Sequence, residues 1–392
     1  MKSLRDFNLE NKRVLVRADF NVPVGDDGRV DEKEDWRLEA TLPTINYLLK
    51  QKAKIILLAH LGRPGGQVIE SLRLDPIARR LEEILNRSVV KLDDCLGSGV
   101  ERRVKNIKEG EIVLLENLRF YPGEENNDSD FAQKLARLGE IYVNDAFGTI
   151  HRSHASIISL PRYLPGCAGL LLEKEVKILS NVLNKPAHPL VVVIGGVKIS
   201  TKIKVIKNFL KRADELVLGG ALANTVISAK GFAIGQSIVE EEMVKEVKKL
   251  ELTNTKLHIP VDVIASIDAH GRAPGRIAPV GYTKEKEMIL DIGPDTRQLF
   301  KQVISQAEIV VWNGPMGLFE VDKFSLGTKT IAQAVAQTKG FSVVGGGDTI
   351  NLLEELNLIS QIDHVSTGGG AMLKFLAGEK LPGLEALKRA YF

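Results

Sequence analysis

The sequence predicts an α/β fold of two domains, each a parallel sheet with helices on both faces, and three observations carry that expectation. The chain is 392 residues long, which suits two domains at roughly 100–200 residues each. Short, continuous, β-branched runs recur at 14–16, 55–59, 112–115, 141–143, 190–194, 216–218, 309–312 and 341–344, and unbroken apolar strands of this kind belong to sheets covered on both faces. Segments of helical period lie between them, and strands alternating with helices imply parallel pairing.

Among the helical segments, residues 42–50 carry Pro43 near the start, 77–85 follow the second strand, and 131–138 follow Ser129 or Asp130 as the cap. The Gly- and Pro-bearing stretch 161–169 marks the expected break between the halves. Residues 173–183, which run at helical spacing up to Pro186, read as an interdomain connector. After Gly195-Gly196 the apolar residues Ile199, Ile203, Ile206 and Leu210 keep a helical period, with the first turn expected to begin by Lys198 so that Lys198 and Lys202 share a face. A last helix is expected over 350–356.

Composition narrows the class of function. Lys and Arg number 53 against 50 Asp and Glu, a formal net charge of +3, and no basic stripe with interleaved aromatics offers itself to nucleic acid. The longest apolar runs are strand-sized and residues 1–10 hold no apolar core, so neither a membrane span nor a secretory leader is expected. Cys95 and Cys167 have neither metal-site nor framework spacing, which points to a reducing, cytoplasmic setting. Beneath the even balance lies an asymmetry: residues 1–170 hold 16 Arg and 10 Lys, whereas residues 171–392 hold 5 Arg and 22 Lys. Arg is a rigid fork that grips carboxylate and phosphate through two bonds and Lys is a mobile point charge, so the halves are expected to recognise different anions.

Ligands of open α/β sheets bind beyond the carboxyl ends of the strands, so the residues after each run matter most. In the first half these are Arg17-Ala-Asp19-Phe20-Asn21, then His60-Leu61-Gly62-Arg63, then Arg119, then Arg152, with Arg37 available ahead of the first helix. Several arginines delivered to one rim fit a small, highly charged anion. In the second half Gly195-Gly-Val-Lys198-Ile-Ser-Thr-Lys202 opens a helix. Lysines there oppose the macrodipole unless an anion occupies the spot, so glycines, helix N–H groups and lysines together describe a phosphate site. Gly219-Gly220 and Gly345-Gly346-Gly347-Asp348-Thr349 add two more glycine turns after strands, and Asp348 reads either as a helix cap or as a metal ligand beside phosphates. Neither G-x-x-x-x-G-K-[ST] nor G-x-G-x-x-G after a strand is present, which counts against a P-loop NTPase and against a two-domain NAD(P)-dependent dehydrogenase.

Eight segments in order carry a resemblance over essentially the whole chain: Val16-Arg-Ala-Asp-Phe-Asn-Val-Pro23, His60-Leu-Gly-Arg-Pro64, Glu116-Asn-Leu-Arg-Phe120, Asp145-Ala-Phe-Gly-Thr-Ile-His-Arg152, Gly195-Gly-Val-Lys-Ile-Ser-Thr-Lys202, Trp312-Asn-Gly-Pro-Met-Gly-Leu-Phe-Glu320, Gly345-Gly-Gly-Asp-Thr349 and Ser366-Thr-Gly-Gly-Gly370. Together they resemble the phosphoglycerate kinase family. The resemblance implies two Rossmann-like three-layer α/β/α domains with parallel sheets, joined by an interdomain helix and hinge. Residues 1–170 with a returning tail of about 376–392 would bind 3-phosphoglycerate, and 171–375 would bind the nucleotide.

It implies reversible phosphoryl transfer between 1,3-bisphosphoglycerate and ADP, giving 3-phosphoglycerate and ATP, by a magnesium-dependent cytoplasmic monomer without nucleic-acid or membrane partners. A catalytically inactive nucleotide-binding relative is the alternative. By motif, Asp19, Phe20, Asn21, Arg37, His60, Leu61, Gly62, Arg63, Arg119 and Arg152 are assigned to the glycerate substrate. Lys198, Lys202, Gly219, Gly220, Gly293, Asn313, Glu320, Gly345, Gly346, Gly347, Asp348 and Thr349 are assigned to the nucleotide, Asp348 to Mg²⁺, and Arg37 and Lys198 to the group in flight. One departure stands out: Ala371-Met372-Leu373-Lys374 lacks the Ser and the acidic residue expected after the triple glycine, where the family's hinge lies.

Overall fold

The computed structural model describes residues 1–390, so Tyr391 and Phe392, the end of the expected returning tail, lie outside the described residues. The chain divides into two compact units, Met1–Ile178 with the C-terminal segment from Lys380, and Leu179–Glu379. The division falls inside one continuous helix, Leu170–Asn184, rather than ahead of it.

In the first unit the strands are β1 (Arg13–Arg17), β2 (Lys54–Leu58), β3 (Val89–Lys91), β4 (Ile112–Leu114), β5 (Ile141–Asn144) and β6 (Gly166–Ala168). They form one sheet in the order β3-β4-β2-β1-β5-β6, every pair parallel. The central strands are buried almost end to end because helices cover both faces, which is why they read as unbroken apolar runs. Helices Leu42–Lys50, Asp75–Leu85 and Ser129–Ala136 supply part of that cover. The last is capped by Asp128, whose carboxylate accepts from the Phe131 amide at 2.7 Å. This replaces the expected Ser129 or Asp130, since the cap side chain sits three residues before the amide it satisfies. Helix Pro382–Lys388 belongs to this unit: Gly383 donates to Ile150 O at 3.0 Å, so closely that a Cβ would stand 2.5 Å from Ile150 Cδ1.

In the second unit β7 (Leu190–Ile194), β8 (Glu215–Leu218), β9 (Leu257–His258), β13 (Ile309–Asn313), β14 (Phe341–Gly345) and β15 (His364–Ser366) make another all-parallel sheet in the order β15-β14-β13-β7-β8-β9. Trp312, Phe300 and Met316 anchor its core. A small antiparallel sheet that the sequence reading did not anticipate, β11 (Arg276–Pro279), β10 (Asp262–Ser266) and β12 (Met288–Ile292), stands beside it.

Strand order locates the ligand positions. In the first sheet the chain leaves β1 toward β2 and leaves β5 toward β6 on the opposite side. In the second, β7 leads to β8 and β13 to β14 in the same divergent way. Each sheet therefore has a crevice at the carboxyl ends of these central pairs, where open α/β sheets bind ligands.

Candidate functional site

The first-unit rim is a lattice of cations tied to backbone and to one another. Arg17, at the end of β1, is fully buried, and its Nη2 lies 3.1 Å from Nδ1 of the buried His60. Asp19 Oδ1 stands 4.0 Å from the same Nδ1. Asn21 Oδ1 accepts from the Gly62 amide at 2.8 Å, and Arg119 Nη1 donates to Gly62 O at 2.7 Å, so the His60–Arg63 loop is held from both sides. Asn117, fully buried, holds the same loop by accepting from Leu61 N at 3.2 Å and donating to Leu61 O at 2.7 Å. Burial and then the fields of Arg17, Arg119, His154 and Arg152 push the His60 pKa well below its ordinary value. Burial likewise lowers that of Arg119, and Arg17 and Arg152 add to the effect. A pocket whose own cations repel one another is one that gains by receiving an anion.

Arg37, on helix Asp35–Glu39, stacks its guanidinium 4.5 Å from the Trp36 ring centre and pairs with Glu34 at 3.2 Å. Arg63 and Arg152 are exposed. Phe20 and Leu61 lie in the hydrophobic core, so their side chains anchor the loops that carry Asp19, Asn21 and Gly62 rather than face a ligand.

The second unit holds a cavity of about 520 Å³. Lys198, Lys202, Gly220, Asn313, Glu320, Gly346, Asp348 and Thr349 line it, together with an apolar stretch from Ile238, Val263, Met288, Leu290 and Met316. Gly219, Gly293, Gly345 and Gly347 are not among the lining residues. Gly293 instead caps helix Pro294–Ser305 and packs on Asp262, while Gly345 accepts from Asn313 Nδ2 at 2.6 Å and packs on Met372. That Met372 contact gives the unexpected Ala371–Lys374 run a packing role.

Two glycines are required by geometry. Gly220 has φ +66° and a Cβ there would stand 2.6 Å from Pro315 O and 2.7 Å from Gly196 N; Gly346 has φ +109° and its Cβ would stand 2.9 Å from Asn313 Nδ2.

The helix after β7 begins at Ile203, with Lys202 as its N-cap residue, so Lys198 is not in a first helical turn. Glu240 draws Ser200 out of helical pairing by accepting from its amide at 2.9 Å and its hydroxyl at 2.6 Å, and Thr201 Oγ1 donates to Lys198 O at 2.9 Å. The result is an exposed Lys198 on a turn and a Lys202 whose ammonium donates to Gly195 O. Burial lowers the Lys202 pKa to about 8 against the pull of Asp348.

Gly346, not Asp348, is the cap of helix Gly347–Glu355, which leaves the Asp348 carboxylate in the first turn, exposed and lining the cavity. Among the described residues no group of three or more His, Cys, Asp or Glu could enclose a metal. A single carboxylate beside a phosphate cradle nonetheless suits Mg²⁺, which keeps most of its waters and shares the substrate's phosphates.

Sequence reasoning placed Arg17 at the rim without giving it a role, and missed His154 and Asn117 there and Asp291 in the cavity wall, where burial raises the carboxyl pKa to about 7. For Arg17, Asn117 and Asp291 the signal available was polarity in or just beyond an apolar strand, since a polar group there is costly unless it has a purpose; His154, well past the end of β5, offered no such signal.

Comparisons with known proteins agree on one family. The phosphoglycerate kinase family model matches residues 4–379. The phosphoglycerate kinase of Moorella thermoacetica is 48% identical over 389 residues, 98% of each chain, and that of Pelotomaculum thermopropionicum is 46% identical over 393 residues, also 98% of each. The phosphoglycerate kinase structure from Coxiella burnetii superposes with a TM-score of 0.86 at 40% identity over 100% of both chains. The one from Pyrococcus horikoshii gives 0.87 at 35% over 100% of this chain and 99% of that one.

Proposed function

The chain belongs to the phosphoglycerate kinase family and is an ATP-dependent kinase that transfers a phosphoryl group between ATP and 3-phosphoglycerate, and from that premise we propose how its residues divide the work. The first-unit lattice of Asp19, Asn21, His60, Arg63, Arg119 and Arg152 binds 3-phosphoglycerate. The second-unit cavity binds ATP or ADP, with the base on the apolar stretch and the phosphates at the Lys198, Lys202 and Asp348 end. The observation that carries this division is that cavity, apolar along one stretch and cationic at glycine turns along another.

Neither direction of the reaction needs a general base. The nucleophile is an ADP phosphate oxygen one way and a carboxylate the other, and both are ionised at neutral pH. What remains is positioning and charge on the equatorial oxygens of the moving group. Arg37 and Lys198 supply that charge. Both are held on local structure, Arg37 by its stack on Trp36 and its pair with Glu34, and Lys198 by its turn. Asp348 would hold Mg²⁺, which neutralises nucleotide phosphates when bound.

With one substrate assigned to each unit, the reacting oxygens must come within about 3–3.5 Å, a task we assign to a hinge; scattering that shows no compaction with both substrates present counts against it. Action as a monomer is part of the same proposal. Cys95 and Cys167 are free and buried, which supports a reducing, cytoplasmic setting. A coupled assay with 3-phosphoglycerate, ATP and Mg²⁺ tests the whole reading: ATP-dependent formation of the acyl phosphate is expected, and ligand binding without turnover would leave an inactive relative.

A further inference from the structure

One buried acid in the first unit has no part in the site described so far. Glu124 is fully buried, and an ionised carboxylate in such a place is costly unless its lone pairs are used. Both of its oxygens meet Ser156: Oε1 accepts from the hydroxyl at 2.6 Å and Oε2 from the amide at 2.9 Å. Ser156 is held further by the Tyr142 hydroxyl, which donates to its carbonyl at 2.6 Å. With its proton committed to Glu124, the Ser156 hydroxyl oxygen accepts from Arg17 Nε at 3.0 Å. Arg17 donates from Nη1 to Ala18 O, and its Nη2 lies 3.1 Å from His60 Nδ1.

The direction of every link in this chain is fixed by chemistry. A guanidinium has donors only, so the contact between Arg17 Nη2 and His60 Nδ1 forms only if Nδ1 carries a lone pair. The single proton of the neutral imidazole must then reside on Nε2. A second proton is opposed by the groups that face the ring, namely Arg17, Arg119, Arg152 and His154, with Asp19 as the facing acid 4.0 Å from Nδ1. Arg17 is itself positioned by the carboxylate one residue removed, which orients the guanidinium without a direct ion pair that would turn its Nη2 away from His60.

We infer that the Glu124–Ser156–Arg17 chain holds His60 as the neutral Nε2–H tautomer, so that His60 meets an anionic substrate as a hydrogen-bond donor. The inference rests on the reading of His60 as a ligand of 3-phosphoglycerate and adds Glu124, Ser156 and Arg17 as positioning residues. Without them the ring is free to take the other tautomer and present a lone pair to a negative oxygen, which turns an attraction into a repulsion.

The test reads the ring directly. The full chain labelled with ¹⁵N, free of substrate at pH 7, is examined by long-range ¹H–¹⁵N correlation, and His60 is assigned by the signals missing from His60→Gln. The expected result is an unprotonated Nδ1 and a protonated Nε2. The opposite tautomer or an imidazolium in the unmutated protein overturns the inference, and this measurement stands even where a variant fails to fold. In folded Ser156→Ala, which removes the acceptor of Arg17 Nε, the two tautomers are expected to mix. The KM for 3-phosphoglycerate should then rise about three- to tenfold, with kcat and the nucleotide KM nearly unchanged. An unaltered tautomer in both folded Ser156→Ala and folded Glu124→Gln overturns it. An unmutated protein with the Nε2–H ring and no turnover would sink the kinase reading while leaving the tautomer chain in place.

Discussion

The two anion sites of this chain are built from different materials. In the first unit the rim is made of charged side chains bonded to one another and to the loops between them, with Arg17 and His60 buried and Arg119 nearly so. In the second unit it is made of backbone: Gly196, Gly220, Gly314 and Gly346 all adopt positive φ, the Gly314 amide is tied to Thr349 Oγ1 at 2.9 Å, and of the two lysines Lys198 is exposed while Lys202 is tucked against Gly195 O. The difference matches the ligands proposed for each. A small substrate with an anion at either end is recognised by the spacing of rigid forks, which buried arginines fix. A nucleotide is long and partly apolar, and it needs room as much as charge. Leaving out Cβ atoms supplies that room and lets amides approach phosphates.

The largest effect tests what the two sites are proposed to share. Arg37→Ala and Lys198→Ala each remove charge from the group in flight, so each should lower kcat by roughly 10²–10³ with an unchanged far-UV circular dichroism spectrum. Near-normal turnover in either variant takes that residue out of the catalytic role. Similar losses from both would mean that the two units differ in how they bind but not in how they stabilise the transition state.

A smaller effect separates them. Gly220→Ala forces a Cβ into contact with Pro315 O and Gly196 N at positive φ. It should cost about 1–3 kcal/mol of stability, read by thermal unfolding, and raise the nucleotide KM while leaving that for 3-phosphoglycerate alone. Arg119→Ala should do the reverse, raising the KM for 3-phosphoglycerate roughly ten- to a hundredfold. If each variant raised both constants equally, the assignment of one substrate to each unit would be wrong.

Much of this contrast was legible in the sequence, for a physical reason. Strands covered on both faces must be apolar throughout, so the eight continuous runs correspond to β1, β2, β4, β5, β7, β8, β13 and β14. Three of the strands that escaped lack that signature. β6 is Gly-Cys-Ala, β9 has two residues, and β11 alternates exposed and buried positions and ends in Pro279. The residues that follow strands were legible because topology puts ligands there. What the pattern did not reveal was how side chains cross between elements. Arg17, Ser156 and Glu124 are far apart in sequence and meet only in the fold. The turn at Lys198 was hidden for the same reason, since Glu240, 40 residues away from Ser200, overrides a helical period that is real from Ile203 onward.

The finest test of the contrast is protonic. Burial holds the Lys202 ammonium at a pKa of about 8, so near pH 8 about half of the free sites carry a neutral amine. A polyphosphate bound beside it favours the charged form and raises that pKa, so nucleotide binding at pH 8 must draw a proton from solvent, on the order of half a proton per site. Below about pH 7 the amine is already charged and the uptake vanishes. The first unit behaves differently. The depressed groups of its rim are His60, His154 and Arg119, His154 being lowered to about 4; the two histidines stay neutral at pH 8 and the guanidinium keeps its charge, so 3-phosphoglycerate should bind there without proton exchange. Titration calorimetry at pH 8 in buffers of different ionisation enthalpy separates the two. The apparent heat of nucleotide binding should vary with the buffer and that of 3-phosphoglycerate should not. A nucleotide heat independent of buffer would mean that Lys202 is fully charged before the ligand arrives, and that the second site, like the first, owes its affinity to charge already in place.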